Sequence, residues 1–262
     1  MTSPPPALER LVGERTVPRI EHENYWFRRH EIAYLSLAGL ITAAAGPGLV
    51  IEAGSGEGYG VRVLNRTGNA RVAALDYDLA ALTHSAGAYP DQVAGRALLV
   101  NLVNLPLATA AVDVITSFQV IEHLWDPDRF VAECARVLRP GGLLIVTTPN
   151  RLTFSPGLGR GQKPRNPFHQ REFDSAELID LVGAHLIVGE LLAVSHGPRL
   201  TAWQHRHGNL IDAQLAVPAD QWPAELAHVV RSVTAEDFVL APPSPAQAEV
   251  LDLVVVAHSE VS

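Results

Sequence analysis

A short aliphatic run that ends in a glycine-rich turn constrains this chain more than any other feature. Residues 49–53 read as a strand, Gly54-Ser-Gly-Glu-Gly-Tyr-Gly60 follows, and a helix is predicted over 59–65. Glycines at this junction permit a tight strand-to-helix turn and let a ligand approach the backbone, whose N–H groups can hold an anionic group. The pattern then repeats as strands at 72–75, 97–100, 112–117 and 143–148, alternating with helical stretches at 78–86 and 127–138. In the second of these helices Phe130, Val131, Cys134, Val137 and Leu138 recur at helical spacing, and Pro140-Gly-Gly142 is expected to end it. A further helix is expected over 175–182, capped by Asp174 or Ser175, with strands at 186–194 and 251–257. Strands alternating with helices specify an α/β fold. The expected sheet is Rossmann-like, seven-stranded and mostly parallel, with helices on both faces and cap segments added. Residues 46–194 with 250–262 form the expected core. Residues 1–45 are an N-terminal helical cap and 195–249 a cap inserted between the last two strands.

Charge and composition narrow the function classes. The net charge of −8 argues against a nucleic-acid partner. No apolar run approaches the ~20 residues of a membrane helix, so no membrane insertion is expected. The residues from Met1 to Pro6 do not read as a signal peptide, and the single cysteine, Cys134, fits a reducing, cytoplasmic setting. The proline clusters at 4–6 and 242–245 read as surface linkers.

Two acids flank the glycine loop. Glu52 precedes it, where a carboxylate would repel a pyrophosphate but suit a cationic amino group. Asp76 ends the second strand, where an acid can accept hydrogen bonds from ribose hydroxyls. The dinucleotide spacing G-x-G-x-x-G fails at Tyr59, although Gly54, Gly56 and Gly60 fit a looser pattern. The plainer alternative makes Glu52 a helix cap and Asp76 a turn residue.

These features, in order with Asn101, Leu105-Pro106, Asp113-Val-Ile, Gln119-Val-Ile-Glu-His-Leu124 and Arg136-Val-Leu-Arg-Pro-Gly-Gly142, resemble the class I S-adenosylmethionine-dependent methyltransferases over residues 48–150. The resemblance implies S-adenosylmethionine as methyl donor, held by Glu52, Gly54, Ser55, Gly56 and Gly58. Asp76 would meet the ribose, Asn101 and Leu102 the adenine, and Gln119 the methionine and methyl end, with Tyr77 a further cofactor-binding residue. The stretch Tyr25-Trp-Phe-Arg-Arg-His30 implies an arginine, Arg29, closing on the donor carboxylate; its plainer reading is an amphipathic helix packed on the sheet.

The candidate catalytic residues lie beyond the strand ends: Glu122 and His123 after the fourth strand, and His169 after the fifth. Relatives that methylate quinone precursors hold a divalent cation such as Mg²⁺ with Glu-x-x-Glu-His. Here Gln119 stands at the first Glu, and no metal-ligand set is assigned. His205-Arg-His207 also lacks an evident third ligand. The alternative for Glu122 and His123 is turn formation. For His169 it is loop packing, with Arg171 and Glu172 in a surface ion pair. Trp203 and Trp222 are candidates for stacking on sugar faces or for burial.

Over its whole length the chain resembles actinobacterial sugar methyltransferases of methylglucose lipopolysaccharide biosynthesis. The similarity runs through Gly13-Glu-Arg-Thr-Val-Pro18, Glu23-Asn-Tyr-Trp-Phe-Arg-Arg-His30, Thr148-Pro-Asn-Arg151, Phe154-Ser-Pro-Gly157, Asn166-Pro-Phe-His169, His196-Gly-Pro-Arg-Leu200 and Ile211-Asp-Ala-Gln214. It implies a sugar hydroxyl of an oligosaccharide or polysaccharide as acceptor, the 6-hydroxyl of a glucose among the candidates. A phenol, quinone or lipid head group is the rival acceptor. A nicotinamide-dependent oxidoreductase and a non-catalytic donor-binding module are the rivals of other classes.

Overall fold

The computed structural model describes residues 16–93, 95–243 and 249–261. The proline cluster at 4–6, Gly13 to Arg15 of the first similarity segment, and Ser244-Pro245 lie outside them. The chain enters through a 22-residue helix, α1 (Asn24–Ala45). The repeating units follow as β1 (Leu49–Ala53), α2 (Tyr59–Thr67), β2 (Arg71–Asp76), α3 (Leu79–Ala88), α4 (Pro90–Val93) and β3 (Ala97–Leu99). Next come β4 (Val112–Phe118), α5 (Pro127–Val137), β5 (Leu138–Pro149), α6 (Arg151–Phe154), α7 (Ser175–Gly183) and β6 (Ile187–His196). The last elements are α8 (Pro198–His207), α9 (Leu210–Ala216), α10 (Ala224–Ser232), β7 (Phe238–Ala241) and β8 (Val250–His258).

The strands form one sheet in the order β3-β2-β1-β4-β5-β8-β6-β7. β1 pairs in parallel with β2 and β4, as do β2 with β3 and β4 with β5. β8 lies antiparallel between β5 and β6, and β7 pairs antiparallel with β6. The sheet therefore has eight strands rather than the expected seven. The additional strand, β7, falls in the segment assigned to the cap. It is four residues long and is followed by Pro242-Pro243, too short for its alternation to stand out. A second difference is the end of α5. Leu138 is already extended and opens β5, so the helix stops before Pro140-Gly-Gly142 rather than at it.

Successive side chains on each strand point to opposite faces, and the two faces carry separate cores. One packs α1, α2 and the helices α8–α10 against Val50, Val114, Ile145, Val254 and Val256. The other packs α5 and α7 against Ile51, Ile115, Leu144, Val146 and Val255. Asp174 caps α7 in a capping box with Glu177, as its position suggested. The topology reverses between β1 and β4, so the loops after these strands open into a crevice where such sheets bind ligands.

Candidate active site

The glycine loop is fixed by its neighbours. The Gly54 and Ser55 N–H groups both donate to the Leu75 carbonyl, at 2.8 and 3.0 Å. Gly54, Gly56 and Gly58 have φ of +78°, +47° and +82°, a region that side chains disfavour. A Cβ at Gly54 would stand 2.3 Å from Val120, and one at Gly58 2.0 Å from the Ser85 hydroxyl oxygen. A Cβ at Gly56 would meet nothing within 4 Å, because Gly56 borders an open cleft of about 570 Å³. Asp76, buried at the end of β2, accepts the Gly56 N–H on Oδ2 at 2.8 Å and the Asp78 N–H on Oδ1 at 3.0 Å.

Gly54, Gly56, Asp76, Tyr77, Asn101, Leu102, Gln119 and His123 all line this cleft. Sequence reasoning missed Val120, Leu124, Trp125, Phe168 and Gln170, which complete its wall. Trp125 and Tyr77 are 69% and 75% exposed, large apolar faces left at the rim. A purine with a ribose fits such a setting: apolar faces for the base, and the Asp76 carboxylate, with acceptor capacity left, for the diol. Ser55 and Gly58 shape the loop from behind without lining the cleft.

Glu52 and Arg29 are not in the cleft wall either. Glu52 is buried behind the loop, where the Tyr34 hydroxyl donates to Oε1 and the Thr116 hydroxyl to Oε2. Burial raises its carboxyl to about 7, against the lowering effect of those two hydrogen bonds. Arg29 lies buried against Asp252, Nε to Oδ2 at 3.2 Å, with its guanidinium carbon 5.1 Å from the Trp26 ring centre and 4.7 Å from that of Phe154. It also reaches Gln119 Oε1 at 3.5 Å. Burial pushes Asp252 up to about 6 although the Arg29 charge opposes the shift.

A second cavity of about 330 Å³ adjoins the cleft. Its wall includes Trp26, Arg29, Glu122, Phe154, Arg165, Asn166, His169 and Asp212. Gln119 and His123 line both spaces, so they stand at the passage between them. Gln119 follows β4 with φ +59°, uncommon for a side-chain-bearing residue, and is held by hydrogen bonds of its N–H and its Nε2 to Thr147 Oγ1, both 3.1 Å.

The segment after β5 closes over this passage. Its ends meet where Arg151 N–H donates to the Phe173 carbonyl at 2.8 Å, and the buried Arg151 side chain binds Glu177 and Asp174. Its middle is tied to the turn after β4: Gln170 and Arg171 N–H groups donate to the Glu122 carbonyl at 2.8 and 3.2 Å. Glu122, His123 and His169 thereby come together, with one ligand atom from each within 4.8 Å of the others. His123 Nδ1 contacts the Phe168 carbonyl at 3.1 Å, His169 Nδ1 contacts Glu172 Oε1 at 2.7 Å, and the Thr148 hydroxyl donates to Glu122 Oε2 at 3.0 Å. Glu172 is thus buried beside His169 and is not the surface partner of Arg171. Arg171 instead faces Glu177 and the Phe173 ring.

The remaining sequence candidates lie apart from this passage. His196 is buried against the Tyr25 hydroxyl, 2.7 Å away, and burial lowers it to about 4. His207 stacks on the buried Trp203, and Trp222 Nε1 donates to the Val217 carbonyl at 3.1 Å. None of these lines the second cavity.

Comparison with known proteins shows the family and the fold. A family model described as a methyltransferase domain matches residues 51–146. A relative from Mycobacterium tuberculosis, named as a probable S-adenosylmethionine-dependent methyltransferase, is 49% identical over 237 residues, 89% of this chain and 82% of its own length. A relative from Mycolicibacterium smegmatis with the same description is 46% identical over 257 residues, 96% of each chain. Among solved structures, the cyclase SpnF superposes with a TM-score of 0.60 at 17% identity, covering 98% of this chain and 93% of its own. That likeness shows the fold alone, since one fold carries many reactions.

Proposed function

The chain belongs to the class I S-adenosylmethionine-dependent methyltransferases, and on that premise we propose that it methylates a sugar hydroxyl of an oligosaccharide or polysaccharide. It is an S-adenosylmethionine-dependent enzyme, which sets aside the nicotinamide-dependent and non-catalytic readings of the glycine loop.

The observation that carries the acceptor class is the wall of the second cavity. Arg165, Asn166, Asp212, His169, His123 and Glu122 give it charged and hydrogen-bonding groups around two aromatic rings, Trp26 and Phe154. Such a mixture suits a polyhydroxylated ring, with hydroxyls bonded at the edges and a C–H face on an aromatic. A quinone or lipid acceptor would be served by aliphatic side chains, and Leu215 is the one large aliphatic side chain in the described wall.

Bound S-adenosylmethionine supplies a methyl group already activated on a sulfonium. The residues then have three tasks. Asp76 holds the ribose beside the bare backbone of Gly56, while Tyr77, Asn101 and Leu102 hold the base. Glu52, set behind the loop, accepts the Tyr34 and Thr116 hydroxyls and so braces the loop from beneath without touching the donor. Gln119 and His123 border the line from donor to acceptor, so a hydroxyl in the second cavity meets the methyl there. Glu122, His123 and His169 receive that hydroxyl and ease the loss of its proton. Arg29, between Asp252 and Gln119, fixes the passage from the acceptor side.

Methyl-labelled S-adenosylmethionine incubated with glucan oligosaccharides, a catechol and a lipid extract tests the reading. Label in the oligosaccharide alone supports it. Label in the catechol or the lipid with none in any glycan overturns it.

A further inference from the structure

We propose that Glu122, His123 and His169 form a binding site for a first-row transition-metal dication at the acceptor side of the passage. The three residues come from two separate loops, yet one ligand atom of each lies within 4.8 Å of the others. Ligands at about 2.1 Å from a common ion lie at most about 4.2 Å apart, so small side-chain rotations close the set.

The second observation is how the two imidazoles are held. The Phe168 carbonyl can only accept, so His123 Nδ1 carries a proton, which makes Nε2 the nitrogen that would face an ion. His169 Nδ1 faces the buried carboxylate of Glu172 at 2.7 Å, which fixes the same tautomer. Metal-binding histidines are characteristically anchored in this way, by a carbonyl or carboxylate on the far nitrogen. Asn166 Nδ2 lies 3.1 Å from His169 Nε2, so an ion competes with that amide for the lone pair. Glu122 is buried and oriented through the Thr148 hydroxyl.

The donor set defines the ion. Two imidazoles and one carboxylate suit Mn²⁺, Fe²⁺, Co²⁺ or Zn²⁺ better than Mg²⁺, which prefers oxygen ligands and retained water. The sequence argument against a cation was that Gln119 replaces an acid. The fold supplies His169 from the loop after β5 in its stead, a residue that no spacing rule connects to Glu122. Three protein ligands leave positions open toward the second cavity, where a hydroxyl can bind the ion and become more acidic. That last step rests on the acceptor reading above; metal binding itself does not.

The test is titration of chelator-treated, full-length protein with Co²⁺, read by visible absorption and by calorimetry without any acceptor. One saturable site is expected, undiminished by equimolar Mg²⁺. It is lost in His123→Ala and in His169→Ala, the latter still binding S-adenosylhomocysteine as the parent does because His169 lies outside the donor cleft, and retained when His205 and His207 are both replaced by alanine. Glu172→Gln, which keeps side-chain size, is expected to weaken Co²⁺ binding by about 10–100-fold. No saturable site in the parent protein, or a site that survives in both His123→Ala and His169→Ala, overturns the proposal. Saturable Co²⁺ binding with no methylation of any glycan supports the metal site and contradicts the sugar reading alone.

Discussion

Gly56 and Asp76 are joined by one hydrogen bond, the Gly56 N–H donating to Asp76 Oδ2 at 2.8 Å. It links the turn after β1 to the end of β2 and aims both at the cleft. Asp76→Ala removes the carboxylate from the loop and from the ribose together. Donor affinity is expected to fall by at least ~100-fold, about 2.7 kcal/mol. Calorimetry with S-adenosylhomocysteine measures it, and an unchanged affinity removes Asp76 from the site.

Gly58→Ala tests the loop's conformation. The residue has φ +82°, and its Cβ would stand 2.0 Å from the fully buried Ser85 hydroxyl. Strain and overpacking together are expected to destabilise the fold by about 2–4 kcal/mol in denaturant melts. A variant as stable as the parent would show that α3, which carries Ser85, yields easily.

Glu52 predicts a pH dependence of stability. Its folded pKa is raised from 4.5 to about 7, so folding favours the neutral form. That contribution is fully present below about pH 4.5 and is lost as pH rises through 7, on the order of 3 kcal/mol in all. Asp252, raised to about 6, acts in the same direction, so the parent slope contains both. Glu52→Gln is expected to flatten the fall in stability between pH 5 and 8 and to leave the Asp252 part. Equal slopes for variant and parent would show that Glu52 is ionised in the fold.

His169→Ala separates acceptor chemistry from donor binding. His169 lines the second cavity and not the donor cleft. Turnover is expected to fall by at least ~10²-fold, the usual scale for a group engaged in proton transfer, with donor affinity nearly unchanged. Parent-like turnover would leave His169 as a packing residue of its loop.

The sheet and the gathering of the glycine turn, Asp76 and Asn101 at one cleft were legible because they depend on local pattern. Strands β1–β6 and β8 each carry an aliphatic run, and the glycine turn with Asp76 lies within one βαβ unit. β7 escaped notice because four residues followed by prolines give no period. The acceptor side was legible only as residues, not as an arrangement. His169 and Glu122 are 47 positions apart, and the amide bonds that join their loops go to a carbonyl, which leaves no mark in a sequence. Glu172 looked like a surface partner for Arg171 because adjacent opposite charges often are, whereas the loop turns it inward to His169. Tyr34 beneath Glu52 was likewise invisible, since α1 reaches the back of the glycine loop only through tertiary packing.

Calorimetric titration of the purified protein with S-adenosylhomocysteine, with NADPH run beside it, tests the central claim most directly. The account predicts micromolar binding of the first, about −8 kcal/mol, and none of the second. NADPH binding, or no binding of S-adenosylhomocysteine, would contradict the assignment of the Gly56–Asp76 cleft to the methyl donor.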